Sequence, residues 1–155
     1  MMMALVDSMI LMDYDNGRKE AIDWWHEMKD NGWKLCLSIV SLMERLKGVV
    51  GFPGRRLEVL NDFLDRISKM RRDRIIWKIY PITREISYEA YELLKRYCER
   101  YTPPSKGRSI EGFICDMLIA ATAIRYKLIL YTFNIKHFDW IDNLNVKIPD
   151  YSIGD

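Results

Sequence analysis

No long apolar run, no cysteine pair and no strong net charge mark this 155-residue chain, and each absence closes off a class of protein. No stretch approaches the roughly 18 uninterrupted apolar residues of a membrane-spanning helix, so no membrane association is expected. The three cysteines, Cys36, Cys98 and Cys115, are far apart and form no CxxC pair. A scattered, odd set of that kind argues against a disulfide framework or a zinc site and favours a reducing cytoplasm. Lys and Arg number 24 against 22 Asp and Glu, a net charge of +2, so no global field announces nucleic acid or a membrane, although a local basic patch stays open. The apolar N-terminus MMMALVDSMILMDYD is broken early by Asp7 and has neither a basic leader nor a small-residue cleavage site, which makes it a poor secretion signal. There is no internal repeat, and no glycine-rich phosphate loop follows any predicted strand, which disfavours a nucleotide-binding domain.

What is present is ordinary for a globular protein: 49% apolar and 30% charged residues, at a length suited to one domain, residues 1–155, with a full core. Short apolar runs alternate with amphipathic ones. MMALV, WKLCLS, IIWKIYPI and LILYT read as buried strands. RKEAIDWWHEMKDNG reads as a helix stopped at Gly32, and SIVSLMERLKG as one with Ser38 as its N-cap and Gly48 as its stop. RRLEVLNDFLDRISKM repeats Leu57, Leu60, Phe63, Leu64 and Ile67 at helical spacing. Residues 84–101 and 110–126 complete the helices, with GFPG as a turn and TPPSKG as the clearest loop. Such alternation predicts an α/β fold with a mainly parallel sheet covered by helices on both faces.

In sheets of that kind, sites form beyond the carboxyl ends of the strands. Asp7 ends the first strand, and Thr132 and Asn134 end LILYT. Asp116 lies in the first half of a helix that runs back from that edge. On a helical wheel it shares a face with Phe113, Ile119, Ala120 and Ala123, whereas Glu111, Thr122 and Arg125 gather on the opposite side. A carboxylate among apolar residues needs a base, backbone donors or a metal as partner. Pairing with a Lys or Arg, or reaching water near the helix start, is the plainer alternative, and for Asp7 the plainer alternative is a cap on a following turn or helix. Glu44 lies within about two turns of the start of its helix, off the centre of the apolar face, where a solvated acid is the commoner outcome. If Asp7, Glu44, Asp116 and Asn134 do converge, they form an oxygen-rich set that suits Mg²⁺ or Mn²⁺, the layout used for phosphodiester hydrolysis by metal-activated water.

Four segments in order, LVDS (5–8), SIVSLMERLKG (38–48), DMLIAATA (116–123) and LILYTFNIKHF (128–138), resemble the PIN-domain nucleases, with the VapC-type toxins as the nearest subfamily. The resemblance covers both ends and the middle of the chain; residues 50–105 carry no motif of it. It implies a three-layer PIN-like domain and Mg²⁺- or Mn²⁺-dependent cleavage of RNA that leaves 3′-hydroxyl and 5′-phosphate ends. Asp7, Glu44 and Asp116 would be the metal-binding triad, with Asn134 at the fourth catalytic position, where many relatives carry an acid. A further acid sometimes follows three residues on; here that residue is His137, a departure that lowers the charge of the site. Ser8, Thr132 and His137 are accessory candidates. The resemblance also implies a homodimer and inhibition by a small antitoxin.

The densest basic clusters, GRR and KMRRDR, offer Arg55, Arg56, Arg71 and Arg72 as RNA contacts, although basic residues also suit the solvated end of a helix. Trp24, Trp25 and Trp33 are expected in packing or at a dimer face rather than stacked on bases. His26 reads as a surface residue. Alternative functions are a PIN-domain RNA-processing nuclease that is not a toxin, and a catalytically silent PIN-like binding module.

Overall fold

Alternation along the first strand sets the architecture. In β1 (Met3–Val6), Leu5 packs into one apolar cluster and Ala4 and Val6 into another, as the period of two in a strand demands. β2 (Lys34–Ser38) repeats the pattern, with Cys36 on the first side and Leu35 and Leu37 on the second. β3 (Lys78–Tyr80), β4 (Ile129–Tyr131) and β5 (Val146–Lys147) complete a five-stranded sheet of order β3-β2-β1-β4-β5, parallel throughout. The computed structural model describes residues 1–51, 54–101 and 109–152, apart from the side chain of Val49.

Among the described residues six α-helices cover the sheet: α1 (Ser8–Asp15), α2 (Lys19–Asp30), α3 (Ile39–Val50), α4 (Arg56–Arg72), α5 (Arg84–Arg100) and α6 (Ile110–Arg125). Ile86, Ala90 and Leu93 of α5 join Phe113, Met117 and Ala120 of α6 on one face. Ile10 and Leu11 of α1, Trp24 and Trp25 of α2, and Phe63, Ile67 and Met70 of α4 fill the other. The result is the helix–sheet–helix sandwich expected from the alternation. Among the described residues no helix is long and apolar enough to cross a membrane.

Several elements differ from the sequence reading. SMILMDYD, left unassigned there, is α1, whose first N–H is capped by Asp7. Gly48 does not stop α3; the helix runs on to Val50. The Ser38 hydroxyl does accept the Val40 N–H, 3.1 Å away. IIWKIYPI and LILYT are strand only at Lys78–Tyr80 and Ile129–Tyr131. β5, two residues long, had no readable period. The α4 stripe splits: Phe63 and Ile67 are buried, while Leu57 and Leu64 are 76% and 46% exposed. Thr122, assigned to the polar side of α6, is fully buried, its hydroxyl satisfied by the Leu118 carbonyl at 2.8 Å. The loop TPPSKG and the middle of GFPG lie outside the described residues.

One polar network ties three helices together. Asp15, at the end of α1 with a side chain only 2% exposed, accepts from Arg45 of α3 at 2.8 Å and from Arg66 of α4 at 2.5 Å. Arg45 also reaches the Asn16 side chain at 3.0 Å.

Candidate functional site

Strand order places the site. The chain fills the sheet outward from β1 through β2 to β3, then returns through α5 and α6 to β4 on the other side of β1. β1 and β4 therefore flank the point where the order reverses, and a crevice opens there beyond the carboxyl ends. Asp7 follows β1, and its N–H continues the ladder to the Tyr131 carbonyl at 3.0 Å. Thr132 follows β4, and its N–H donates to Lys147 at 3.0 Å.

Asp7 is 4% exposed, and both its carboxylate oxygens are held. One accepts the Ser8 N–H at 2.8 Å, and the other accepts the Thr132 hydroxyl at 2.7 Å. The Thr132 oxygen in turn accepts the Asn134 N–H at 3.0 Å, which fixes the turn after β4. Burial pushes the Asp7 carboxyl up; the Thr132 and Ser8 bonds oppose that, and the charge of Asp116 adds to it.

Glu44 reaches the same crevice from α3. Burial first, then the charges of Asp7 and Asp116, push its carboxyl up to about 7, against a hydrogen bond from Ser8 and the charge of Lys47. Its Oε1 is buried and has no hydrogen-bond partner among the described residues. An orphaned buried carboxylate oxygen is costly and uncommon. Asp116 enters from α6 with a side chain 14% exposed, and the base beside it is His137, whose Nδ1 lies 3.0 Å from Asp116 Oδ2. Asp7, Glu44 and Asp116 act on one another through their field more than through contact. Among the described residues no group of three or more His, Cys, Asp or Glu side chains is drawn together closely enough to hold a metal ion as it stands.

Beside Glu44, a cavity of about 210 Å³ is lined by Met43, Glu44, Lys47, Glu111, Gly112 and Cys115. Burial and the charges of Glu44 and Asp116 push the Cys115 thiol up, so it is held as the neutral thiol.

The fold thus gathers Asp7, Ser8, Glu44, Asp116, Thr132 and His137 at one rim, with the Asn134 backbone attached. The basic candidates are placed differently. Arg55 pairs with Glu58 at 2.6 Å and, with Arg56, lines an open hollow before α4. Arg71 and Arg72 are exposed at the other end of that 17-residue helix, about 25 Å along at 1.5 Å per residue. The chain leaves there to enter β3 from the amino edge of the sheet, opposite the acids. Trp24 and Trp25 are core residues, and His26 is exposed, its ring stacked on Tyr14. Sequence reasoning had no partner for His137. The signal was the spacing from Asn134: a 3₁₀ turn over Ile135–His137 returns residue 137 above residue 134.

The PIN domain family model matches residues 4–143. The ribonuclease VapC10 of Mycobacterium tuberculosis is 29% identical over 143 residues, 92% of this chain and 90% of its own. Two solved structures share the fold: VapBC2 from Rickettsia felis bound to a promoter DNA fragment, at a TM-score of 0.69 and 20% identity over 96% of this chain and 100% of that one, and a toxin–antitoxin complex from Klebsiella pneumoniae, at 0.62 and 24% over 97% and 99%.

Proposed function

The chain belongs to the PIN domain family, and from that premise we propose that it is a metal-dependent endoribonuclease, the toxin of a VapBC-type pair, hydrolysing RNA phosphodiester bonds. One observation carries the reading. Three carboxylates meet at the switch point of the sheet, each close enough to disturb another, and one keeps a buried oxygen without a partner.

The donors fit a hard divalent ion. Asp7, Glu44 and Asp116 would hold Mg²⁺ or Mn²⁺, with Asn134 as the fourth polar group of the site and Ser8 and Thr132 orienting the carboxylates. Such an ion, when bound, polarises the phosphate and lowers the pKa of the attacking water. The chain supplies the arrangement. Thr132 and the Ser8 N–H fix the direction of Asp7, so that carboxylate does not need to reorganise. Glu44, with its carboxyl near 7, is partly protonated at neutral pH and gives up that proton when a cation arrives. Mutual repulsion among the acids then becomes shared attraction.

A small antitoxin and a second copy of the chain are the proposed partners, in the cytoplasm, with the whole chain as one PIN unit. Leu57 and Leu64 face outward on α4 and offer apolar surface for such contacts. Among the arginines, Arg55 and Arg56 stand at the end of α4 nearer the acidic edge and are the better placed to meet RNA.

The test is cleavage of mixed cellular RNA by wild type and by Asp116→Asn purified in parallel, with Mn²⁺ or Mg²⁺ and with chelator. Discrete, metal-dependent fragments from wild type alone are expected. Fragments from both proteins, or fragments that persist in chelator, would remove Asp116 and the ion from the reaction.

A further inference from the structure

His137 differs from the rest of the rim in chemistry: it brings a nitrogen to a set of oxygens. We propose that His137 ligates the same ion as Asp116 and biases the site toward Mn²⁺ and other first-row transition ions over Mg²⁺. The inference rests on the metal-dependent reading above and goes beyond it in naming the ligand that sets ion preference.

Three observations support it. First, Nδ1 is buried and has no hydrogen-bond partner among the described residues, although Asp116 Oδ2 is only 3.0 Å away. A proton on Nδ1 directed at that oxygen would make a strong bond; the alignment for one is missing. With the ring proton on Nε2, Nδ1 turns a lone pair toward that carboxylate oxygen, and a cation shared between the two atoms takes the place of the missing hydrogen bond. Second, the spacing is right. Two adjacent ligands of an octahedral ion with bonds of about 2.1 Å stand roughly 3 Å apart. Third, the backbone that carries the imidazole is held in place. The His137 N–H donates to the Asn134 carbonyl at 2.9 Å, and its own carbonyl accepts the Trp140 indole N–H at 3.0 Å. The next residue, Phe138, is fully buried. Little backbone freedom remains to be lost on binding an ion.

The preference follows from ligand softness. Carboxylates serve Mg²⁺ and Mn²⁺ alike, whereas imidazole adds affinity for transition ions and little for Mg²⁺. Two readouts independent of catalysis test this on the full chain. Calorimetry gives Mn²⁺ and Mg²⁺ affinities for wild type, His137→Asp, His137→Gln and Asp116→Asn. Electron spin-echo spectroscopy of the Mn²⁺-loaded protein reports nitrogen bound directly to the ion. Expected are a ¹⁴N modulation in wild type that is lost in both His137 variants, and a Mn²⁺-over-Mg²⁺ affinity ratio lowered about tenfold or more by His137→Asp. His26→Ala, which removes the other histidine from the exposed face of α2, keeps the signal. Mn²⁺ that binds wild type, is lost in Asp116→Asn and shows no nitrogen coupling would overturn the ligand role and leave the metal site standing. Wild type that binds neither ion would overturn both. The wild-type spectrum alone decides the ligand question if either His137 variant misfolds.

Discussion

Asp7 divides its carboxylate between structure and chemistry: one oxygen starts α1, and the other is gripped by Thr132. The cap reading of this acid at a strand end is met by the Ser8 N–H, and the metal-ligand role proposed above would fall to the same side chain. Asp7 and Asp116 were legible in the sequence because each interrupts an apolar run, and an interruption needs a reason. Glu44 was not, since its position off the apolar face of α3 looks like solvent until α6 and the end of β1 close over it. Its raised carboxyl has a consequence for stability. The folded chain holds this proton more tightly than the unfolded chain, in which the group titrates near its ordinary 4.5. Its contribution thus favours folding on the acid side and fades as pH rises from 4.5 to about 7. Asp7 acts with the same sign. In chelator, the melting temperature of wild type should fall between about pH 5 and 8, and Glu44→Gln should flatten that fall while abolishing RNA cleavage. An unchanged slope in the variant would show that Glu44 is not the group that titrates.

Among the elements, helices with a clear apolar stripe were read to within a residue or two: α2 ends two residues before Gly32, and the ranges 84–101 and 110–126 match α5 and α6, whose starts the structure shows capped by Thr83 and Ser109. α1 was missed because its apolar residues follow those of β1 after no more of a polar break than Asp7 and Ser8. β5 was missed because two residues carry no period. Gly48 misled for a different reason. Glycine marks a helix stop only when the chain needs positive φ, as at Gly32, where φ is +84°. At Gly48 the helix goes on, and an added Cβ would meet only the Arg45 guanidinium, at an ordinary 3.6 Å. Gly48→Ala should accordingly stabilise the protein by about 0.5–1 kcal/mol, read as a higher urea midpoint at unchanged slope. A lower midpoint would mean that this turn of α3 is not helical in solution.

At the level of the whole molecule, the alternating pattern was enough to give the parallel sheet and the two helical layers. It could not give strand order, because β1, β2 and β4 are apolar on both faces and each fits any interior slot. Order matters most for function, since the reversal between β1 and β4 is what brings residues 7 and 132 into hydrogen-bond contact. A crevice lined with acids that raise one another's pKa trades stability for affinity, and a bound cation should return some of that stability. Mn²⁺ at one hundred times its dissociation constant should add about 2.7 kcal/mol, a rise in Tm of roughly 5–10 °C for a chain of this size. Asp116→Asn should show no such rise. An equal rise in the variant would place the ion elsewhere.

The paired arginines around Asp15 have a mechanical consequence. Glu44 and Arg45 are successive residues of one helix, so their side chains leave its axis about 100° apart. α3 cannot turn about that axis to carry Glu44 away from the crevice without pulling Arg45 out of its bonds to Asp15 and Asn16. Arg66 anchors the same carboxylate from α4. The helix is keyed like a shaft in a slot, and the heading of the Glu44 carboxylate is inherited from an acid sealed away from solvent.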